Sequence, residues 1–260
     1  MPDKPVLIEI KNKIAQITIN RPANRNTMNR EVMTAFNEAI KQVRMNEEIR
    51  CLIITGSGQS FCAGADLTEL NIDPKDGSPS DVLMDVYRPF LNIRDIEVPV
   101  IAAMNGHAIG GGLGLALICD IRVASKNSKY GANFARLGIH SGMAISYMLP
   151  KIIGLPLANE LLLTGRLING EAAADIGLAN YSEPQDNVLA KAWELAKEIA
   201  ACAPAAVRMM KRSIYRGIDW APEKAAEIEA LSQAHTFQMQ DAREGITALL
   251  EKREPVFKGK

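Results

Sequence analysis

Val98-Pro-Val-Ile-Ala-Ala-Met-Asn-Gly-His-Ala-Ile-Gly-Gly-Gly-Leu-Gly-Leu-Ala-Leu-Ile-Cys-Asp120 is the stretch on which the rest of the chain is organised. Its first part, Val98–Met104, is a short apolar run that opens on Pro99 and suits a buried strand; its last part, Leu113–Cys119, has the length and composition of a packed helix. Gly106, Gly110, Gly111, Gly112 and Gly114 lie between them. Without a Cβ, such a junction takes positive φ and lets another molecule approach the main chain. A helix that starts there leaves its first N–H groups unpaired, with the positive end of the dipole behind them. That suits an oxygen that carries or acquires negative charge. The 22 residues between Glu97 and Asp120 also reach the length of a membrane span. Asn105, His107 and five glycines interrupt the run, and nothing flanks it like an anchor, so a strand followed by a buried helix fits better.

With 260 residues, 47% of them hydrophobic, the chain can bury a large core, as one domain or as a domain with an appendage. Thirty basic and thirty acidic residues cancel, so no bulk attraction to nucleic acid or to an anionic membrane is indicated, and neither is expected as a partner. Cys51, Cys62, Cys119 and Cys202 show no CxxC spacing. They read as reduced thiols of a cytoplasmic protein, with no metal site. Met-Pro-Asp-Lys-Pro at the N-terminus lacks a signal or transit pattern, which again points to the cytoplasm.

Outward from the central stretch, Val6–Ile10 and Ile14–Asn20 form a hairpin signal around Lys11-Asn-Lys13. Met28–Asn46 reads as a helix because Val32, Phe36, Ile40 and Val43 recur at three- and four-residue intervals. Cys51–Thr55 is the next strand and runs into a second glycine-bearing junction, Gly56–Asp66, after which Leu67–Leu70 resembles a first helical turn. Asn71–Ser80 is the most loop-like stretch and is expected to be mobile. Asp81–Ile96 resumes a helical pattern that Pro89 should kink or interrupt. Ile121–Ala124 and Ser128–Gly131 are short strands, and Gly142–Ile153, Pro156–Leu163 and Asn169–Ile176 are helices. From Asp186 onward the pattern is helix alone: Asn187–Cys202, Pro204–Arg216, Pro222–Gln240 and Asp241–Lys252. The expected organisation is an α/β core over 1–195 and a helical C-terminal region over 196–260 that buries its apolar faces on the core or on another subunit.

The order strand, glycine junction, helix occurs twice, at 51–70 and 98–119. If the two strands are neighbours in one sheet, each junction offers a main-chain N–H, and the pair can point at one oxygen; the best candidates are the amides of Ala65 and Gly111. Two such donors suit a thioester carbonyl that becomes an enolate or oxyanion. A nucleotide-phosphate reading fails on motif, since no G-x-G-x-x-G follows the strand and no Gly-Lys-Ser/Thr closes either junction.

Phe61-Cys-Ala-Gly-Ala-Asp-Leu67, Asn105-Gly-His-Ala-Ile-Gly-Gly-Gly112 and Asn20-Arg-Pro22 together resemble the crotonase superfamily, the enoyl-CoA hydratase/isomerase group. The likeness runs from about Val6 to Phe257. It implies a spiral of ββα units, a helical C-terminal region that builds homotrimers or dimers of trimers, and an acyl-CoA thioester as the partner. Coenzyme A would enter as part of the substrate, with no separate cofactor. The resemblance further implies that Ala65 and Gly111 hold the thioester oxygen, and that the main chain around Ala63, Ala65, Asp66 and Leu67, with Arg25 nearby, holds the coenzyme A.

Hydratases of this family place one glutamate two residues after the triple glycine and another about 20 residues later. Here those positions are Gly114 and Phe134, neither of which exchanges a proton. A positioned acid or base contributes roughly 10²–10⁴-fold. Hydration is therefore doubtful, and isomerisation, decarboxylation or another lyase reaction is open; decarboxylation makes an enolate without removing a proton from carbon. His140, on the loop after Phe134, is the candidate substitute because imidazole serves as a general acid or base, against a plain loop histidine bonded to backbone. His107 reads as a packing or hydrogen-bonding residue, His235 as a subunit contact, and Arg136 and Tyr147, near the pocket, as surface or packing residues ahead of ligands for a polar acyl group. Cys62 is not expected to be a nucleophile. The alternative from another class is a non-catalytic acyl-CoA-binding protein.

Overall fold

The computed structural model describes residues 4–66 and 78–260, so the expected Leu67–Leu70 turn, Leu67 as a ligand of coenzyme A and nearly all of the Asn71–Ser80 loop lie outside the described residues. The hairpin is β1 (Val6–Lys11) and β2 (Ile14–Ile19), antiparallel, turned by Asn12 and Lys13, both at positive φ. Helix α1 (Arg30–Met45) follows, with Asn29 as its cap accepting the Val32 N–H at 3.0 Å. A cap of this kind is worth about 1 kcal/mol. Val32, Phe36, Ala39, Ile40 and Val43 are its buried face, the periodicity read from sequence.

Next come β3 (Cys51–Gly56), β4 (Ser60–Cys62), α2 (Pro79–Leu91), β5 (Val100–Met104), β6 (His107–Ile109) and α3 (Gly111–Ile118). Pro89 stays inside α2, and the helix stops at Leu91, passing into a 3-10 turn over Asn92–Asp95. Phe90 is fully buried, its ring 4.9 Å from that of Phe36, which holds α2 onto α1. Then β7 (Ile121–Ser125) and β8 (Tyr130–Gly131) lead to α4 (Ile145–Ile153), α5 (Leu155–Thr164), α6 (Gly170–Asp175) and β9 (Tyr181–Glu183).

The strands sort into two sheets. One has the order β1-β2-β3-β5-β7-β9, parallel after the first pair; the other is the short parallel β4-β6-β8. Each β3–β4, β5–β6 and β7–β8 pair thus sends its first strand to the large sheet and its second to the small one, a repeated ββα winding. The large sheet is apolar on both faces, as parallel strands covered on both sides require. Leu52, Ile54, Val100 and Ala102 face the main core, whereas Cys51, Ile53, Ile101 and Ala103 face a second cluster on the opposite side. That second cluster is closed by Val188, Ala192, Leu195 and Ala196 of α7 (Val188–Ala201). The expected division at 195/196 falls inside this helix, which is packed on the sheet and belongs with the body.

Beyond it, α8 (Pro204–Gly217) and α9 (Pro222–Phe237) have no buried residue in the single chain, and α10 (Gln240–Glu251) has only Asp241 and Ala248. Leu231, Phe237, Leu249 and Leu250 are 69%, 59%, 77% and 78% exposed. Among the described residues, no helix is long and apolar enough to cross a membrane.

Candidate active site

Strands β3 and β5 are adjacent and parallel, so the junctions that follow them emerge side by side. Their polar side chains lash them together. Asn105 accepts the Gly56 N–H through Oδ1 at 3.1 Å and donates to the Gly58 carbonyl through Nδ2 at 2.9 Å. Asn26, fully buried, donates to the carbonyls of Ser57 (2.9 Å) and Ser60 (2.6 Å) and accepts the Arg21 N–H at 2.8 Å. The Asn20-Arg-Pro22 loop is thereby fixed to the first junction. The bond to the Ser60 carbonyl satisfies a loop acceptor that would otherwise be buried without a partner.

The segment 63–66 runs between two others. On one side the Ala63 N–H donates to the Arg25 carbonyl (3.1 Å), the Met28 N–H to Gly64 (2.8 Å) and the Asp66 N–H to Met28 (3.0 Å). Ala65 sits opposite Met28 in a parallel bridge, so its own N–H and C=O turn away from Met28, to the other side of the segment. On that side Gly64, at φ 93°, lies against Gly111: a Cβ on Gly64 would stand 3.2 Å from the Gly111 nitrogen and 2.9 Å from the Ile109 oxygen. Gly111 is the first residue of α3, and Gly110 before it has φ 55° and ψ −121°, a conformation open to glycine alone. Among the described residues, neither the Ala65 nor the Gly111 N–H has an acceptor. Two main-chain amides without an acceptor thus lie on adjoining loops, one of them at the positive end of a fully buried helix.

The surroundings are apolar. A Cβ on Gly111 would meet Met28 Sδ at 3.6 Å and Met143 Cγ at 3.7 Å, while the Phe134 ring lies 3.5 Å from the corresponding position on Gly110. Gly114 is roofed by Met143: a Cβ there would stand 2.5 Å from Met143 Cβ and 3.3 Å from Ile145 Cγ1. Met143 is 2% exposed and, with Ala144, is held at positive φ (56° and 55°), backbone strain that costs of order 1–3 kcal/mol per residue. Gly142 beside it is covered by the Tyr87 hydroxyl, whose pKa burial raises.

The other nominated residues are placed as follows. Arg25 is exposed, at φ 53°, and touches the first junction through its carbonyl. The Asp66 carboxylate accepts from Thr27 Oγ1 at 3.2 Å and lies 3.8 Å from Arg21 Nη1. His140 is exposed, its Nδ1 2.8 Å from the Ser141 carbonyl. A carbonyl only accepts, so Nδ1 carries the proton there and Nε2 is left open. His107 accepts the Lys129 N–H at Nδ1 (2.9 Å), and burial, Lys129 and Arg25 all lower its pKa, so it is a neutral hydrogen-bonding residue, as read from sequence. Burial pushes the Cys62 thiol up to about 12, which leaves no nucleophilic thiolate. Arg136 bonds the Thr164 carbonyl at 2.9 Å. No group of three or more His, Cys, Asp or Glu side chains is placed to hold a metal among the described residues.

Sequence reasoning missed β4 and β6, three residues each, hidden inside the junctions they align. It also missed Met28 and Met143 as walls. Asn105 stood inside a quoted motif and Asn26 four residues after Asn20-Arg-Pro22, and a side chain able both to donate and to accept was the signal available.

The repeated ββα winding, with main-chain amides left unpaired at a helix start, defines the class of protein to be compared, and known proteins of that class narrow it. A family model described as enoyl-CoA hydratase/isomerase matches residues 9–260. The chain is 36% identical over 254 residues to crotonyl-CoA hydratase of Syntrophomonas wolfei, covering 97% of each, and 34% identical over 251 residues to short-chain-enoyl-CoA hydratase of Clostridium acetobutylicum, covering 96% of this chain and 95% of the relative. The crystal structure of enoyl-CoA hydratase from Bacillus anthracis superposes with a TM-score of 0.94 at 30% identity, covering 98% of this chain and 100% of that one. The chain belongs to the enoyl-CoA hydratase/isomerase family.

Proposed function

We propose that this family member stabilises a thioester enolate between the Ala65 and Gly111 amides and does so without the two glutamates of the hydratases. The observation that supports the reading is that neither N–H has an acceptor among the described residues, although Gly64, next to Ala65, packs against Gly111 beside the apolar side chains of Met28, Phe134 and Met143. A thioester oxygen seated there gains charge in the transition state, and preorganised donors in a water-poor site stabilise that charge more than the neutral ground state. Coenzyme A runs along the Ala63–Leu67 main chain with Arg25 nearby. The Ala63 and Asp66 amides are already committed to Arg25 and Met28, so these residues offer carbonyls rather than N–H groups. Of the titratable groups nominated from sequence, His140 is the one left to move a proton. No cofactor is required beyond the coenzyme A of the substrate.

Met28, Phe134 and Met143 favour an enolate made without a carboxylate base, by decarboxylation or another carbon–carbon cleavage. The same apolar lining supports a second reading, an acyl-CoA-binding protein without turnover. Incubation with enoyl-, malonyl- and β-hydroxyacyl-CoA thioesters separates the two. Turnover of malonyl-type substrates above enoyl hydration supports the first; binding of all three with turnover of none replaces it by the second. The exposed apolar residues of α9 and α10 fit a homotrimer or a dimer of trimers of a cytoplasmic protein, and Leu249→Asp with Leu250→Asp should shift the sedimenting species to monomer.

A further inference from the structure

A cavity of about 680 Å³ opens at the C-terminal end of α3, where Leu117, Ile118 and Cys119 line it. Gly111 and Ile118 are seven residues apart, so this cavity sits about 10 Å along the helix from the two amides. Its volume is that of an ordinary small-molecule site.

Its charge is unlike that of the chain. Overall the protein carries no net charge, yet eight lysines and arginines line this cavity against Asp95, Glu97 and Asp120. The acids are largely spent. Asp120 accepts Lys211 Nζ (2.7 Å), the Tyr215 hydroxyl (2.6 Å) and the Val100 N–H (2.6 Å), and Glu97 lies 3.4 Å from Arg212. Arg44, Arg94, Arg122, Arg208 and Arg216 have no ion pair among the described residues. They come from α1, the 3-10 turn after α2, β7 and α8, so the fold, not a local run of sequence, gathers them.

Two of the five are built into the wall. Arg122 is 8% exposed, held by the carbonyls of Leu178 (Nε, 2.7 Å) and Cys119 (Nη1, 2.7 Å). Arg208 donates through Nη2 to the carbonyls of Glu47 and Ile49, and its buried Nε has no partner. Carbonyl bonds fix these guanidinium planes but do not neutralise them, and each keeps donors in reserve. Gathering unpaired cations around one cavity costs free energy that an anion would recover, and planar guanidinium forks match phosphate oxygens two at a time.

We propose that this arginine-lined cavity is a second ligand site, separate from the thioester site, that binds a di- or triphosphate anion. The floor of Ile96, Leu117, Ile118, Met148 and Ile152 leaves room for an apolar or aromatic body attached to the phosphates.

Titration calorimetry of the whole protein with pyrophosphate and with ADP tests the site. The expected result is one saturable site per chain with Kd below about 1 mM, weakening steeply with added salt. Arg94 and Arg216 are exposed, so the pair Arg94→Gln and Arg216→Gln should leave the melting temperature and the Michaelis constant for an acyl-CoA unchanged while weakening binding by roughly tenfold or more. Equal affinity for the two probes assigns the site to the phosphate chain; tighter binding of ADP assigns it to a nucleotide. Absence of saturation with both probes, or binding that survives the double substitution, overturns the proposal.

Discussion

Gly106 and Gly112 differ from Gly110 and Gly111 in what they face, although all four lie within seven residues of chain. A methyl group on Gly106 would collide with the Gln59 carbonyl, and one on Gly112 with the Cys62 carbonyl; both glycines exist so that the second junction can lie on the main chain of the first. Around Gly111 the neighbours stand at ordinary contact distance, 3.6–3.7 Å. One half of the junction spends its glycines on packing, and the other keeps a donor unpaired. A run of identical residues therefore carries two separate physical roles.

Substitution can pull these halves apart. The largest effect is expected for Gly112→Ala, which forces two backbones apart at a cost of about 3 kcal/mol or more and should be seen as a lowered urea midpoint. Gly111→Pro should act on the other half. Proline is tolerated at the first position of a helix, so the midpoint should hold, while loss of the N–H should lower turnover about 10²–10³-fold. Gly111→Ala, which keeps the N–H, is the control and should retain most of the activity; turnover unchanged in Gly111→Pro would remove this amide from the mechanism.

Further along the same helix, Gly114→Glu alone should destabilise the fold and give no hydration, because Met143 fills the space the side chain needs. Gly114→Glu with Phe134→Glu and Met143→Ala should raise hydration of a short enoyl-CoA above the parent level. No gain from the triple variant would mean that the pocket departs from hydratases elsewhere.

The smallest effect concerns pH. His107 has its pKa lowered in the folded chain from 6.5, so the unfolded chain takes up its proton first on acidification. Its contribution to stability is complete above 6.5 and declines as the pH falls through the folded value. His107→Gln, which keeps an acceptor for the Lys129 N–H, should flatten that part of the stability profile in thermal melts.

Most elements were legible because their signals are local. Val32, Phe36, Ile40 and Val43 repeat at helical spacing, Asn169 caps a helix, and β3 and β5 are apolar runs, whereas the Asn29 cap was read as part of its helix. The short sheet was not legible, since Ser60–Cys62 and His107–Ile109 are too brief to show a period and are strands only because the junctions lie together. Ala65 and Gly111 were legible as candidates from their place after two strands. Met143 was not, for nothing in Gly142-Met-Ala144 signals a left-handed corner folded over Gly114. The helical end was legible as helices, but whether α7 belonged to it depended on Val188, Ala192, Leu195 and Ala196 meeting the far face of the sheet, a long-range contact.

The four thiols make the chain its own chemical clock. Cys51 on β3, Cys62 on β4 and Cys119 at the end of α3 are buried, each with its pKa pushed up to about 12, while Cys202 is exposed. An alkylating reagent should mark Cys202 at once in the native protein and reach the others only as each layer opens. The order in which the remaining three acquire label would rank the large sheet, the small sheet and the central helix by their resistance to opening.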